Sequence, residues 1–316
     1  MFMSLPDDVD RLVQSMLTGK ERIELWMLRQ GIKSRRDPRV EAELRRIHQG
    51  CGPVVISVET ELPQLDASEW GDSITFVCPW VEHIGHGWLR KWDRLERVDF
   101  AEMSSVVTVA NDWLLGCSSL TSVNFSGMSS LLTVGDSWML GCSSLTSVRF
   151  GGMSSLLLVG EGWLSICDSL ATLSFEGLSS LLEVSSDWMC CCDSLVTPSF
   201  EGLSSLKIVG HFWMSKCRLL SSPCFRGLSS VQSIGNYWMA GCDSLTTPSY
   251  HGLSSLVCVA DYWMAGCVQL ATPDFAGLSQ LVTVDRFWMS DCPSLSAPCF
   301  RGLDVPLPSL RGTGGS

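Results

Sequence analysis

The chain has 316 residues, 46% hydrophobic and 17% charged, so it carries enough apolar side chain to bury a large core. Its net charge of -11 lies wholly beyond residue 50, because the first 50 residues hold 10 Lys and Arg against 8 Asp and Glu and the remainder 12 against 25. An acidic surface repels phosphates, which excludes nucleic acid and anionic membrane as partners, and no run approaches the roughly 18 apolar residues of a membrane span.

Residues 1–50 form the first unit. Over 5–17, Val9, Leu12, Val13, Met16 and Leu17 fall at helical spacing, with Pro6 early and Gly19 after. Two more helices are predicted over 21–30, ended by Gly31, and 38–48, preceded by Asp37. The acids Asp7, Asp8 and Asp10 interrupt any secretory pattern, so a cytoplasmic location is expected. Residues 51–80 are a degenerate lead-in with a strand at 53–58.

Residues 81–303 are governed by one period. Trp88, Trp113, Trp138, Trp163, Trp188, Trp213, Trp238, Trp263 and Trp288 recur every 25 residues without insertion or deletion. A fixed period of this size marks a solenoid, in which each repeat is one coil that buries its apolar edge against its neighbours. In the type coil, 126–150, the apolar positions are Met128, Leu131, Val134, Trp138, Met139, Cys142, Leu145, Val148 and Phe150. Leu145, Val148 and Phe150 have the spacing of a leucine-rich-repeat strand. A second extended piece is predicted over 131–134, and a single helical turn over 136–141, capped by Asp136 and ended by Gly141. The predicted fold is therefore a leucine-rich-repeat solenoid of about nine coils, with short parallel strands, turns and short helical segments, behind a small N-terminal helical cap. Asp304, Pro306 and Pro308 break the pattern, and 304–316 is a Gly-rich tail.

The segment 131–146, with Val134-Gly135, Gly141-Cys142 and Ser144-Leu145-Thr146, resembles the BspA-like, Treponema-type leucine-rich repeats, and the likeness recurs over 81–303. It departs in its 25-residue period, where the family commonly has 23, and in Trp-Met where the family has Ala-Phe. The resemblance implies the solenoid fold and no catalytic residues, and it implies a surface or adhesive role as one alternative. Residues 1–48, opening on Leu5-Pro6, resemble an F-box, which implies a ubiquitin-ligase substrate receptor held by a Skp1-like adaptor; a purely structural cap is the other reading.

Eight of the 15 cysteines occur once per repeat, from Cys117 to Cys292, and are expected to form a ladder of buried, reduced thiols. Cys190, Cys191 and Cys192 are consecutive, and only Cys192 is in phase. His83 and His86 with Cys78 lack a fourth ligand, so no metal is predicted. The serines recur in turn-forming pairs, and neither a Gly-x-Ser-x-Gly nor a phosphate loop appears. No catalytic residue, cofactor or enzyme activity is expected.

The position before each tryptophan holds Asp112, Ser137, Gly162 and Asp187 in early coils, then Phe212, Tyr237, Tyr262 and Phe287. Either a wider core absorbs these rings, or they form an exposed stripe flanked by His211, Asn236, Asp261 and Arg286, the composition of a protein-binding patch. In the same coils Val98, Val123, Val148 and Leu173 give way to Pro198, Pro223, Pro248, Pro273 and Pro298, so the strand at this phase should weaken beyond about residue 195. Its flanking Ser122, Ser147, Thr172, Thr197 and Thr247 read as a smooth face of little specificity. A cytoplasmic protein-interaction scaffold is the expected function; the alternatives are the ubiquitin-ligase receptor and a surface adhesin.

Overall fold

The computed structural model of the chain describes residues 54–56, 72–76 and 81–296. The three N-terminal helices, the F-box resemblance and the tail 304–316 lie outside the described residues. In chain order the strands are β1 (Val54–Ile56), β2 (Ser73–Phe76), β3 (His83–Ile84), β4 (Arg97–Asp99), β5 (Thr108–Val109), β6 (Ser122–Asn124) and β7 (Thr133–Val134). They continue as β8 (Ser147–Arg149), β9 (Leu158–Val159), β10 (Glu183–Val184), β11 (Ile208–Val209), β12 (Ser233–Ile234), β13 (Cys258–Val259) and β14 (Thr283–Val284).

Two parallel sheets result. A short one has the order β1-β2-β4-β6-β8, and a long one runs from β3 through β5, β7, β9 and β10 to β14. The long sheet pairs residues 25 apart throughout, as in Thr133↔Leu158 and Glu183↔Ile208. The expected extended pieces are thus in place, at β7 and β8 within the type coil. All nine of its apolar positions are buried.

Indoles and phenyls fill the interior as two columns. From Trp113 to Trp263 successive indoles stack with centroids 5.2–5.6 Å apart and planes within 6°. At the ends the stacks open, to 23° between Trp88 and Trp113 and 27° between Trp263 and Trp288. The column from Phe100 to Phe275 crosses the indoles edge to face, as at Trp138 and Phe125 (5.2 Å, 67°). Offset stacks and edge contacts are the two arrangements that ring quadrupoles favour, each worth about 0.5–1.5 kcal/mol beyond burial. This packing has a cost: the indole N–H groups from Trp88 to Trp238 are buried without a hydrogen-bond partner.

No helix occurs among the described residues, so the helical turn expected over 136–141 is not formed. The backbone there alternates instead, with Ser137, Met139 and Gly141 at φ of 62°, 57° and 73°. Left-handed residues cannot propagate a right-handed turn. They send amides out of the coil: Ser137 N–H donates to Glu161 O and Gly141 N–H to Ser165 O in the next coil, while Met139 N–H returns to Trp113 O in the previous one. Asp136 accordingly caps no helix; its Oδ1 accepts the N–H of Glu161.

The same turn accounts for the cysteines. Each ladder thiol donates to the carbonyl of the residue after the preceding coil's tryptophan, at 2.9 Å for Cys117 to Leu89 O, 3.1 Å for Cys142 to Leu114 O and 3.0 Å for Cys192 to Leu164 O. A small, weakly polar donor serves a buried carbonyl there. Described cysteines are free thiols.

Beyond β8 the short sheet is reduced to isolated bridges, Ser174↔Ser199, Ser199↔Cys224, Cys224↔Ser249 and Ser249↔Asp274. The weakening expected from residue 195 therefore begins one coil earlier. From Pro198 onward the inward position has no N–H to donate, but the loss of pairing between β8 and the coil of Leu173 precedes that change.

Burial raises the thiols of Cys192 and Cys267 to about 12 and that of Cys292 to about 11. It also holds those of Cys167, Cys217 and Cys242 well above their ordinary value. The folded state keeps protons that the unfolded chain releases near pH 8.5, so stability present below that pH is lost as pH rises toward the folded values. Each such thiol contributes about 1.4 kcal/mol of loss per pH unit. The urea midpoint should stay flat from pH 6 to 8 and fall steeply from about pH 9 to 10.5; a flat profile to pH 10.5 would show that the thiols are not buried in the fold.

Candidate functional site

The turn around each tryptophan fixes the residue before it in the left-handed region. Phe212, Tyr237, Tyr262 and Phe287 have φ of 58°, 61°, 62° and 60°, strained for bulky residues, and their N–H groups are committed to the next coil where one follows, as Tyr237 to Asp261 O at 2.8 Å. The side chains are directed away from the interior. Phe212 is 37% exposed, Phe287 is 52% exposed, and the two tyrosines are half-buried. The core does not absorb them.

The four rings form one continuous pile. Centroids are 4.8 Å apart from Phe212 to Tyr237, 4.5 Å from Tyr237 to Tyr262 and 4.9 Å from Tyr262 to Phe287, with planes within 14°. The inner ring faces are covered by neighbouring rings, which leaves the pile its ring edges and the outer faces of Phe212 and Phe287. Such a stripe suits apolar and hydrogen-bonding contacts; it leaves little face for a cation or a sugar ring to stack on.

The flanking residues join one coil to the next. His211 Nδ1 accepts the N–H of Asn236 at 2.9 Å, Asn236 Oδ1 that of Asp261 at 3.2 Å, and Asp261 Oδ1 that of Arg286 at 2.7 Å. Asn111 and Asp136 begin the same side-chain ladder in the early coils. Three of the four polar neighbours thus splice coil to coil, and the fourth, Arg286, is in none of the ion pairs among the described residues. One coil before the stripe, burial raises the carboxyl of Asp187, with His211 acting in the opposite direction.

Other sequence candidates are separated from the stripe. His83 Nδ1 lies 2.7 Å from Thr108 Oγ1, and no cluster of three metal-ligating side chains exists among the described residues. Cys190 and Cys191 have their sulfurs 3.3 Å apart, out of the ladder phase. The face flanking the short-sheet strands carries more than hydroxyls, for Arg97 and Arg149 also point outward from it. Arg97 is plain in the sequence as a break in a Ser/Thr phase.

The profile of the BspA type leucine rich repeat region family matches residues 82–221, in six copies. No curated protein matches the chain in sequence. Among solved structures it is similar to a T. pallidum leucine rich repeat protein, at 22% identity over 52% of this chain and 83% of that one, with a TM-score of 0.38. It is also similar to a leucine-rich repeat protein from Bacteroides ovatus, at 15% identity and a TM-score of 0.40, over 76% of this chain but less than two thirds, 62%, of that one. A third, from Eubacterium ventriosum, shares 15% identity over 80% of each chain, with a TM-score of 0.35.

The side-chain ladder makes a specific demand. Asn236→Ala leaves the Asp261 N–H without its acceptor and should cost about 1 kcal/mol, whereas Asn236→Asp, which keeps the oxygen, should cost less than half of that. Chemical unfolding of the two variants measures the difference, and equal losses would remove the ladder from the account.

Proposed function

Since residues 82–221 are a leucine-rich-repeat array of the BspA type, we propose that the chain is a non-enzymatic scaffold that captures a protein partner along Phe212, Tyr237, Tyr262 and Phe287. The observation that carries this reading is one continuous stack of four surface rings, of which Phe212 and Phe287 are exposed and Tyr237 and Tyr262 half-buried. Aromatic side chains held rigid by packing lose little conformational freedom on binding, and interface hot spots are enriched in them. The tyrosine hydroxyls add hydrogen-bonding partners at the centre of the stripe. His211, Asn236 and Asp261 stiffen the stripe by fixing the spacing of its coils, and Arg286 extends it with a charge.

The thiol ladder supports a cytoplasmic setting. Reduced cysteines recurring once per coil from Cys117 to Cys292 suit a compartment where thiols stay reduced, and no helix among the described residues is long and apolar enough to cross a membrane.

Replacing Tyr237 and Tyr262 together with Ser tests the reading. Stability should fall only modestly, by about 1 kcal/mol for each stacked ring pair that the change abolishes, while proteins co-purifying with the tagged chain from its own cells should be depleted at least about tenfold. Quantitative mass spectrometry and thermal melting give both numbers. A loss of roughly 3–5 kcal/mol per ring, or unchanged capture, would make the stripe structural.

A further inference from the structure

The outward face of the short sheet holds a groove of about 410 Å3, floored by β2, β4, β6 and β8. Ile74, Val98, Val123 and Val148 point inward from these strands. Two outward columns remain: Ser73, Arg97, Ser122 and Ser147 on one side, Thr75, Asp99, Asn124 and Arg149 on the other. In later coils the same phases hold Thr172, Thr197, Ser222, Thr247 and Thr272, and Ser174, Ser199, Cys224, Ser249 and Asp274. Arg97 and Arg149 are thus the only cations of either column from Ser73 to Asp274.

Their charge is not absorbed locally. Asp99 Oδ1 accepts from Ala101 N–H at 2.9 Å and from Asn124 Nδ2 at 3.1 Å, and Asn124 Oδ1 accepts from Ser126 N–H at 3.1 Å. The one acid in the groove is therefore engaged by its own turn and by the next strand. Among the described residues the ion pairs involve Arg90, Arg218 and His251, and neither groove arginine. Two guanidiniums outside any ion pair, against a single carboxylate already held by neutral donors, in one groove of a protein of net charge -11 suit an anionic ligand.

Their placement narrows its class. Arg97 and Arg149 sit two strands and one column apart, which puts their Cα atoms roughly 12 Å from each other at about 4.8 Å per strand and 3.3 Å per residue. One small anion would draw both long side chains to a single point. An extended peptide instead presents same-face residues at about 6.6 and 13 Å, bracketing that separation, and the hydroxyls and amide of Ser73, Thr75, Ser122, Asn124 and Ser147 are suited to its backbone groups.

We propose that this groove binds an acidic peptide segment, two of whose carboxylates, two to four residues apart, pair with Arg97 and Arg149. The inference rests on the protein-binding reading only for the nature of the ligand, and it uses neither the aromatic stripe nor its coils.

The test uses the full chain and a fluorescein-labelled peptide, Ser-Glu-Gly-Glu-Gly-Glu-Ser, followed by fluorescence polarisation, with the Gln-for-Glu peptide as control. The Glu peptide should bind and the control should not. Arg97→Gln and Arg149→Gln should each weaken binding at least about tenfold with the melting temperature unchanged, and Arg97→Lys should lose less. The Tyr237→Ser, Tyr262→Ser double variant should bind the peptide as the parent does. Equal binding of both peptides, indifference to both arginines, or loss on changing the tyrosines would overturn the groove. So would displacement by equimolar inorganic phosphate or a sulfated disaccharide, which would assign the arginines to a small anion or a glycan. If the groove fails while the tyrosine variant still loses its partners, the scaffold reading stands without it.

Discussion

No coil of this protein is complete by itself, and that dependence governs everything else. The amides of the tryptophan turn donate outward to the coils on either side, the thiol of each coil satisfies a carbonyl 28 residues earlier, and Asn, Asp and His side chains accept amides 25 residues later. Each indole has its faces covered by the indoles of adjacent coils. A buried polar group without its partner costs roughly 1–3 kcal/mol, and a one-residue slip would orphan several at once. The unvarying 25-residue spacing is the consequence, because an insertion inside a coil misaligns stack, thiol and side-chain ladder together.

A structure made of aligned coils expresses its surface as columns, so function enters where a column changes its residue. The position before tryptophan turns aromatic at Phe212, and the inward strand position turns to proline at Pro198. The first change builds a stacked stripe; the second removes the ladder donors of the short sheet. The short sheet already ends at β8, so its strand-floored groove lies in the early coils, where Arg97 and Arg149 stand. The two candidate surfaces thus occupy different stretches of the array.

The period, the inward set of side chains and both strand positions could be read from the sequence, since apolar spacing directly reports which residues face the interior. The conformation of the turn could not. Glycine at 116 and 141 hints at a left-handed residue, but Met139, Tyr237 and Ile166 carry no such signal and are held there only by contacts from neighbouring coils. Asp136 looked like a helix cap because the acceptor of an Asp side chain serves an amide in either setting; only the partner's sequence distance, 25 residues, distinguishes the two. The aromatic stripe was visible as a column, but its exposure was not, because the outward turn that produces it depends on that same conformation. His211, Asn236 and Asp261 read as binding residues by composition, and their duty as splices between coils was not legible.

The central claim is that register with the neighbouring coils, and not the content of any one coil, holds the fold. Excising residues 158–182 removes one whole period and joins Leu157 to Glu183 with every column intact, whereas excising 158–181 removes one residue fewer. The account predicts that the first variant retains the near-ultraviolet circular dichroism of stacked indoles and unfolds cooperatively, and that the second loses both. Equal behaviour of the two variants, whether both native or both collapsed, would contradict it.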